Sequence, residues 1–199
     1  MGDLDDPRRL AQFRSSLVQL DSDGVLDECV RDAAARAEAP VALVTFVMSK
    51  VQLFRAAVGL PPELEMSRAI SRCDSFCQFV VQNESAFVVN DARTDPRVPQ
   101  AMVRMYGITS YVGVPIRAQG EVLGSLCVAD GKPRSWAAEL VHDLASIGMR
   151  VSRRLDQMST RMPSKAPSDL ASPNATPELE DRLERAIRSL LLERRTASA

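Results

Sequence analysis

Large apolar residues near the start of the chain recur at spacings of three, four and three: Leu10, Phe13, Leu17 and Leu20. Residues three and four apart share one helix face, so residues 7–20 predict a helix with a narrow apolar stripe, closer to a coiled-coil seam than to a broad core face. The "DSDG" that follows offers Asp21, Ser22 or Asp23 as an N-cap. A second helix is expected over 25–37, with Leu26, Cys29, Val30, Ala33 and Ala37 facing inward and Pro40 closing it. The pattern then changes period. "VALVTFVM" is β-branched and almost wholly apolar, as a buried strand is, and a polar turn at Ser49 and Lys50 leads into "VQLFRAAVG" as its antiparallel neighbour.

"GLPP" breaks that pattern, after which residues 75–82 predict a short helix and "AFVVN" a short strand. "DARTDPR" carries turn chemistry, with Asp91 placed for an Asx-turn and Asp95 followed by Pro96 in the manner of an N-cap and a first helical proline. A short helix is expected over 101–106. "SYVGVPI" and "EVLGSLCVAD" then form a hairpin around "RAQG", with Gly120 supplying the turn. Residues 135–158 predict the longest helix, with Leu140, Leu144, Ile147, Val151, Leu155 and Met158 near heptad spacing. From Ser159 to residue 177 the chain is rich in Ser, Pro and Ala and reads as a flexible linker. Residues 178–195 follow as an amphipathic helix with Leu179, Leu183, Ile187, Leu190 and Leu191 on one stripe, which needs a partner surface. Helices at both ends of a mainly antiparallel sheet make the fold class α+β.

The bulk numbers narrow this little. The chain of 199 residues, 45% hydrophobic and 26% charged, has room for one domain with a real core. A net charge of −1 gives no electrostatic reason to bind nucleic acid or an anionic membrane. No apolar run approaches the ~20 residues that span a bilayer, and "MGDLDDPRRL" lacks a signal-peptide profile, so a cytoplasmic location is expected. There the four cysteines stay reduced, and structural disulfides are not expected.

Four words in sequence resemble a known family. "FRAAVGLPPEL", "DSFCQFVVQNESAFVVNDARTDPR", "YVGVPI" and "EVLGSLCVADGKPRSW", in this order and spacing across residues 24–157, are similar to the GAF domain, a small-molecule sensor module of bacterial signalling proteins. The resemblance implies a central antiparallel sheet of five or six strands, terminal helices on one face, and a pocket under short helices on the other. It also implies a homodimer formed through the terminal helices, with Leu10, Phe13, Leu17, Leu20, Leu140, Leu144, Ile147, Val151 and Leu155 as seam residues. The expected organisation is residues 1–23 as an N-terminal helix, 24–158 as the GAF domain, 159–177 as linker and 178–195 as the C-terminal helix. By analogy Phe54, Phe76, Cys77, Phe79, Tyr106, Tyr111 and Cys127 are pocket candidates. Asp91, Arg93 and Arg97 are loop charges placed to orient a ligand. No cofactor is specified.

The chemistry-bearing residues each have a plainer role. Cys73 and Cys77, four apart, would stack on a helix face, but a zinc site needs about four N or S ligands and His142 is the single histidine. No metal site is expected, and the cysteine–histidine pair of bilin attachment is absent. "SKVQLF" is a displaced echo of the cyclic-nucleotide word of the family, and "VHDLAS" lacks the proline that follows a phosphoacceptor histidine. Some GAF proteins reduce free methionine sulfoxide with pocket cysteines, and Cys77 falls near such a position, with Cys73 or Cys127 as a second thiol. The other cysteine words of that reductase are missing here, so packing is the favoured role for these thiols. The expectation is a stand-alone, non-enzymatic sensor or adaptor. Its signal leaves through a protein partner, a kinase or other regulator, held by the C-terminal helix. The alternative is an oxidoreductase using Cys77.

Overall fold

The computed structural model describes residues 2–160 and 175–197, which leaves most of the expected linker outside the described residues. The side chains of Leu190 and Leu191, expected on the partner stripe, lie outside them as well.

Six strands form one antiparallel sheet: β1 (Val41–Val47), β2 (Val51–Val58), β3 (Ala69–Ser71), β4 (Phe87–Val89), β5 (Ser110–Ala118) and β6 (Glu121–Asp130), in the spatial order β3-β2-β1-β6-β5-β4. β1 and β6 lie at the centre and are buried on both faces, which is why both read as near-continuous apolar runs. Alternation along them sorts the side chains. Ala42, Val44, Phe46, Leu126 and Val128 face one core, while Leu43, Val47 and Cys127 face the other. On β6, Gly124 pairs with Phe46 of β1 on one side and with Ile116 of β5 on the other. A Cβ on Gly124 would come within 1.8 Å of the Thr45 carbonyl oxygen, so this close approach admits glycine alone.

Two long helices cover the first face: α3 (Gly24–Ala37) and α7 (Ala138–Thr160). Asp23 caps α3, accepting from the Val25 and Leu26 amides at 3.2 Å, and its carboxylate also takes Arg154 of α7 at 2.7 Å. One side chain therefore fixes where α3 begins and how it sits against α7.

The expected helix over 7–20 is instead two short pieces, α1 (Pro7–Leu10) and α2 (Ser15–Val18). Irregular turns between them let Phe13 drop onto Phe46, ring centroids 5.7 Å apart, while Arg9 is buried with its guanidinium on the Val47 and Leu4 carbonyls. Arg55, the extra residue of a β-bulge opposite Val44 and Thr45, holds the Leu17 and Asp21 carbonyls at 3.1 and 2.8 Å.

The expected dimer seam is corrected by this packing. Phe13, Leu17, Leu144, Ile147, Val151 and Leu155 are buried inside one protomer, with Leu10 and Leu140 half-buried against the same core; only Leu20, 40% exposed, stands outside it. Both stripes are spent on the core beneath the protein's own sheet.

The second face carries α4 (Pro62–Ser67), α5 (Cys77–Asn83) and α6 (Gln100–Tyr106). "GLPP", expected as a simple break, starts α4, with Pro62 at the first helical position. "DARTDPR" stays a loop: Asp91 and Asp95 accept from the Arg93 and Arg97 amides at 3.0 Å, and the next helix begins only after Pro99. No described helix is long and apolar enough to cross a membrane.

The C-terminal helix α8 (Ala175–Ala197) lies on the protein itself. Leu183 and Ile187 are buried and Leu179 half-buried against the helix-face core. Glu180 accepts from the Ser49 hydroxyl and from the Lys50 amide at 3.1 Å, and Lys50 Nζ meets Asp181 at 2.7 Å. The stripe expected to meet a partner is thus spent, over its described residues, on the edge of the chain's own sheet.

Asp23 gives this architecture a pH signature. Burial pushes its carboxyl up, but the hydrogen bonds from Arg154 and the Leu26 amide outweigh that and leave it below the ordinary carboxylate value of 3.8. Its contribution to stability is complete above the unfolded carboxylate range and is lost as pH falls through the lowered folded value. Asp23→Asn keeps the cap but not the charge. It should cost about 1 kcal/mol at neutral pH and flatten the acid limb of the stability curve, measured by urea unfolding between pH 3 and 7.

Candidate functional site

Between the second sheet face and the layer of α4, α5 and α6 lies a cavity of about 170 Å³. β1 and β2 supply Leu43, Gln52 and Phe54 to its floor, and β5 and β6 supply Tyr111, Cys127 and Ala129. The roof comes from Leu64, Phe76, Cys77, Met102 and Tyr106, with Ile70 of β3 beside them. The lining is dominated by carbon. Its polar groups are few, and each has a definite source.

Ser75 anchors the start of α5. Its hydroxyl is hydrogen-bonded to the Gln52 carboxamide oxygen and accepts from the Cys77 amide at 3.0 Å. Gln52 is buried, lines the cavity, and spends only one of its two amide atoms in this contact. A carboxamide also carries two N–H donors, which makes Gln52 a polar group in an otherwise apolar lining.

Cys77 of the roof meets Cys127 of the floor, with their sulfurs 3.8 Å apart. Tyr111 donates to Cys77 Sγ at 3.3 Å and lies 3.5 Å from Ser125 Oγ, which is itself 3.3 Å from Thr45 Oγ1. Both thiols are almost completely buried, at 2% and 1% exposure. Burial alone pushes the Cys77 thiol up, but hydrogen bonds from Cys127, Ser125, Thr45 and Tyr111 reverse the shift and hold it below the ordinary thiol value. The Cys127 thiol is driven up, first by its hydrogen bond to Cys77 and then by burial. The two thiols are thus shifted in opposite directions, Cys77 down and Cys127 up, because each is the other's hydrogen-bond partner. Burial first, and then the neighbouring Cys77 and Cys127 sulfurs, push the Tyr111 hydroxyl up, so it stays a donor.

Gly113 explains how Tyr111 reaches this position. Tyr111 and Gly113 are two apart on β5 and share a face, and a Cβ at Gly113 would sit 2.1 Å from the Tyr111 hydroxyl. The ring lies back along its own strand over the glycine. Phe76 packs edge-on against it, centroids 5.5 Å apart and planes at 89°.

The expected pocket residues divide. Phe54, Phe76, Cys77, Tyr106, Tyr111 and Cys127 line the cavity. Phe79 does not; it stacks on Phe87 at 5.0 Å. Asp91, Arg93 and Arg97 are also elsewhere, because the loop satisfies its own charges. Arg93 pairs with Asp91 at 2.7 Å, and Arg97 pairs with Asp95 at 2.5 Å while lying 4.8 Å from the Phe87 ring. Cys73 is exposed and is not part of the lining, so a second thiol for Cys77 is Cys127. Gln52, Leu64, Ile70, Met102 and Ala129 were missed by sequence reasoning. Gln52 and Ala129 carried a signal, because strand alternation puts them on the same face as Phe54 and Cys127.

A cavity enclosed between an antiparallel sheet and a roof of short helices, with two long helices behind the sheet, defines an α+β domain of the sensor type. The chain belongs to the GAF domain family, whose model matches residues 8–155. It is 36% identical over 129 residues to a cyclic di-GMP phosphodiesterase of Pseudomonas aeruginosa, an alignment spanning 62% of this chain and only 21% of that enzyme. Among solved structures it resembles the GAF domain of an Acinetobacter phosphoenolpyruvate-protein phosphotransferase (TM-score 0.57, 18% identity, 80% of this chain and 99% of that one). It also resembles a free methionine-R-sulfoxide reductase of Neisseria meningitidis (TM-score 0.55, 14% identity, 70% and 81%). At these identities the structural likenesses establish the fold.

The hydrogen bond from Tyr111 is the most direct handle on the thiol pair. Tyr111→Phe should raise the pH at which the Cys77 thiolate absorbance at 240 nm appears by about one unit, since a donor to the charged form is lost. Gly113→Ala should move it the same way by displacing the ring. A midpoint that does not move in either variant would remove Tyr111 from the network.

Proposed function

We propose that this protein is a signalling module, without catalytic output of its own, whose cavity takes a small and largely apolar molecule bearing one oxygen or nitrogen that hydrogen-bonds to Gln52. The observation that carries this is the cavity itself. Its volume of about 170 Å³ is close to that of an apolar cavity able to hold benzene, roughly 150 Å³. It lies below the ~300 Å³ at which sites for drug-sized ligands begin. Among the described residues no Lys or Arg lines it, so no lining cation would meet a phosphate. Both facts weigh against a dinucleotide and favour a ligand of one or two rings.

The output route follows from what surrounds the cavity. α8 packs on α4 and β3, the elements that bring Leu64 and Ile70 to the cavity wall. A ligand that moves this wall changes the seat of α8. In this reading α8 is the switch element that a protein partner, such as a kinase or other regulator, engages when it is released. A homodimer would form through surfaces other than the buried stripes.

Binding of a graded set of small aromatic alcohols and amides, followed by thermal shift and native mass spectrometry, tests the ligand class. At least one should raise Tm in a concentration-dependent way, and Ala129→Phe, which fills the cavity, should abolish that rise while remaining folded. If wild type and Ala129→Phe respond alike, the cavity is not the site. For the output, Glu180→Ala removes the acceptor for Ser49 and Lys50, and hydrogen exchange across residues 175–197 should accelerate at least tenfold without loss of the core. Equal exchange in the two proteins would show that Glu180 does not hold α8.

A second reading rests on the adjacency of Cys77 and Cys127 at 3.8 Å: a thiol oxidoreductase acting on a small sulfoxide. Turnover of methyl sulfoxides with a dithiol reductant, lost in Cys77→Ser, would replace the sensor reading.

A further inference from the structure

We propose that Cys77 and Cys127 are a site of reversible oxidative modification, closing to a disulfide when a small hydroperoxide enters the cavity they line. This stands apart from the identity of the sensed ligand and from any turnover, since it concerns one stoichiometric event.

Three features of the site support it. The sulfurs are already 3.8 Å apart on two separate elements, the first residue of α5 and the middle of β6, so closing to about 2.05 Å needs only a small movement of the α5 end. Both side chains belong to the cavity wall, so a molecule small enough to occupy the cavity touches them although bulk solvent does not. The donors are also arranged around the sulfur that must attack: Tyr111 stands 3.3 Å from Cys77 Sγ, with Ser125 and Thr45 behind it in a hydrogen-bonded chain. Cys29, by contrast, is buried among the helices of the opposite face, and burial pushes its thiol up.

The step balances without further reactants. The Cys77 thiolate attacks the distal oxygen of ROOH, the O–O bond breaks, and the departing alkoxide takes a proton, ultimately from solvent, by way of the Tyr111 hydroxyl. This leaves a sulfenic acid on Cys77 and one molecule of ROH. The Cys127 sulfur then attacks the Cys77 sulfur, and hydroxide leaves with the proton that Cys127 gives up, as water. Two sulfurs have lost two electrons and the peroxide bond has gained them. A dithiol reverses the change by exchange.

Closing the bond draws the start of α5 towards β6 and moves Phe76, whose ring stands against Tyr111 in the cavity wall. The oxidised protein therefore has a smaller, differently shaped cavity.

The experiment uses the full chain, freshly reduced and treated with hydrogen peroxide or tert-butyl hydroperoxide, then quenched by alkylation in denaturant. Peptide mass mapping should find the Cys77–Cys127 link, with Cys29 and Cys73 alkylated, and dithiothreitol should restore four alkylated cysteines. The same link should form in a Cys29→Ser, Cys73→Ser double variant. In Cys127→Ser a sulfenic acid on Cys77 should be trapped by dimedone. If complete exposure of wild type yields no 77–127 link, or yields only intermolecular disulfides through Cys73, the proposal is wrong. Either result leaves the binding of small ligands to the reduced protein unaffected, so the two readings fail separately.

Discussion

The antiparallel pairing of β1 with β6 is the constraint on which everything else in this molecule rests. These two strands run through the centre of the sheet and are covered on both sides, and at Gly124 the backbones come so close that no side chain fits between them. That pairing fixes a register, and the register decides which residues go to which core. Because side chains alternate, a slip of one residue would send Leu126 and Val128 to the cavity and Cys127 into the helix face. The site therefore owes its composition to a steric condition several residues away from it.

The two faces of the sheet are built differently. On one side α3 and α7 lie flat and fill the interior with aliphatic side chains, and the broken N-terminal segment completes that layer. On the other, short helices each only six or seven residues long bridge the sheet without filling the space beneath them. Short helices held by loops can shift at modest cost, whereas α3 and α7, tied through Asp23 and Arg154, are held against each other. The cavity lies on the side of the sheet whose covering helices are the shorter and more easily displaced ones.

Much of this was legible in the chain. Strand alternation, the glycine turn at Gly120, the caps and the four family words located five of the six strands, the long helices and six of the cavity residues, but not the three-residue edge strand β3. The errors have physical causes. Leu10, Phe13 and Leu17 have helical spacing, but Arg9 donates to the Val47 carbonyl at the end of β1 and to that of Leu4, and Phe13 packs on Phe46, so tertiary burial overrode local period. Asp91, Arg93 and Arg97 looked like ligand-orienting charges because Asp91 and Asp95 were not read as ion-pair partners of the arginines two residues on. In fact each aspartate also takes the adjacent guanidinium. The amphipathic stripe of α8 announced that it needed cover but could not say that the cover was its own sheet edge; that information resides in Ser49 and Lys50, some 130 positions earlier.

A cavity in a folded protein is also a mechanical property. Whatever part of its 170 Å³ or so is closed to solvent makes the folded state larger than the same atoms would be if the roof collapsed or the chain opened. Hydrostatic pressure favours whichever state is smaller, so compression acts on this fold from the inside, beginning at the roof of short helices and sparing the filled face behind the sheet. A molecule lodged in the cavity removes that excess and with it the susceptibility. Pressure and occupant thus work as opposites on the same few side chains.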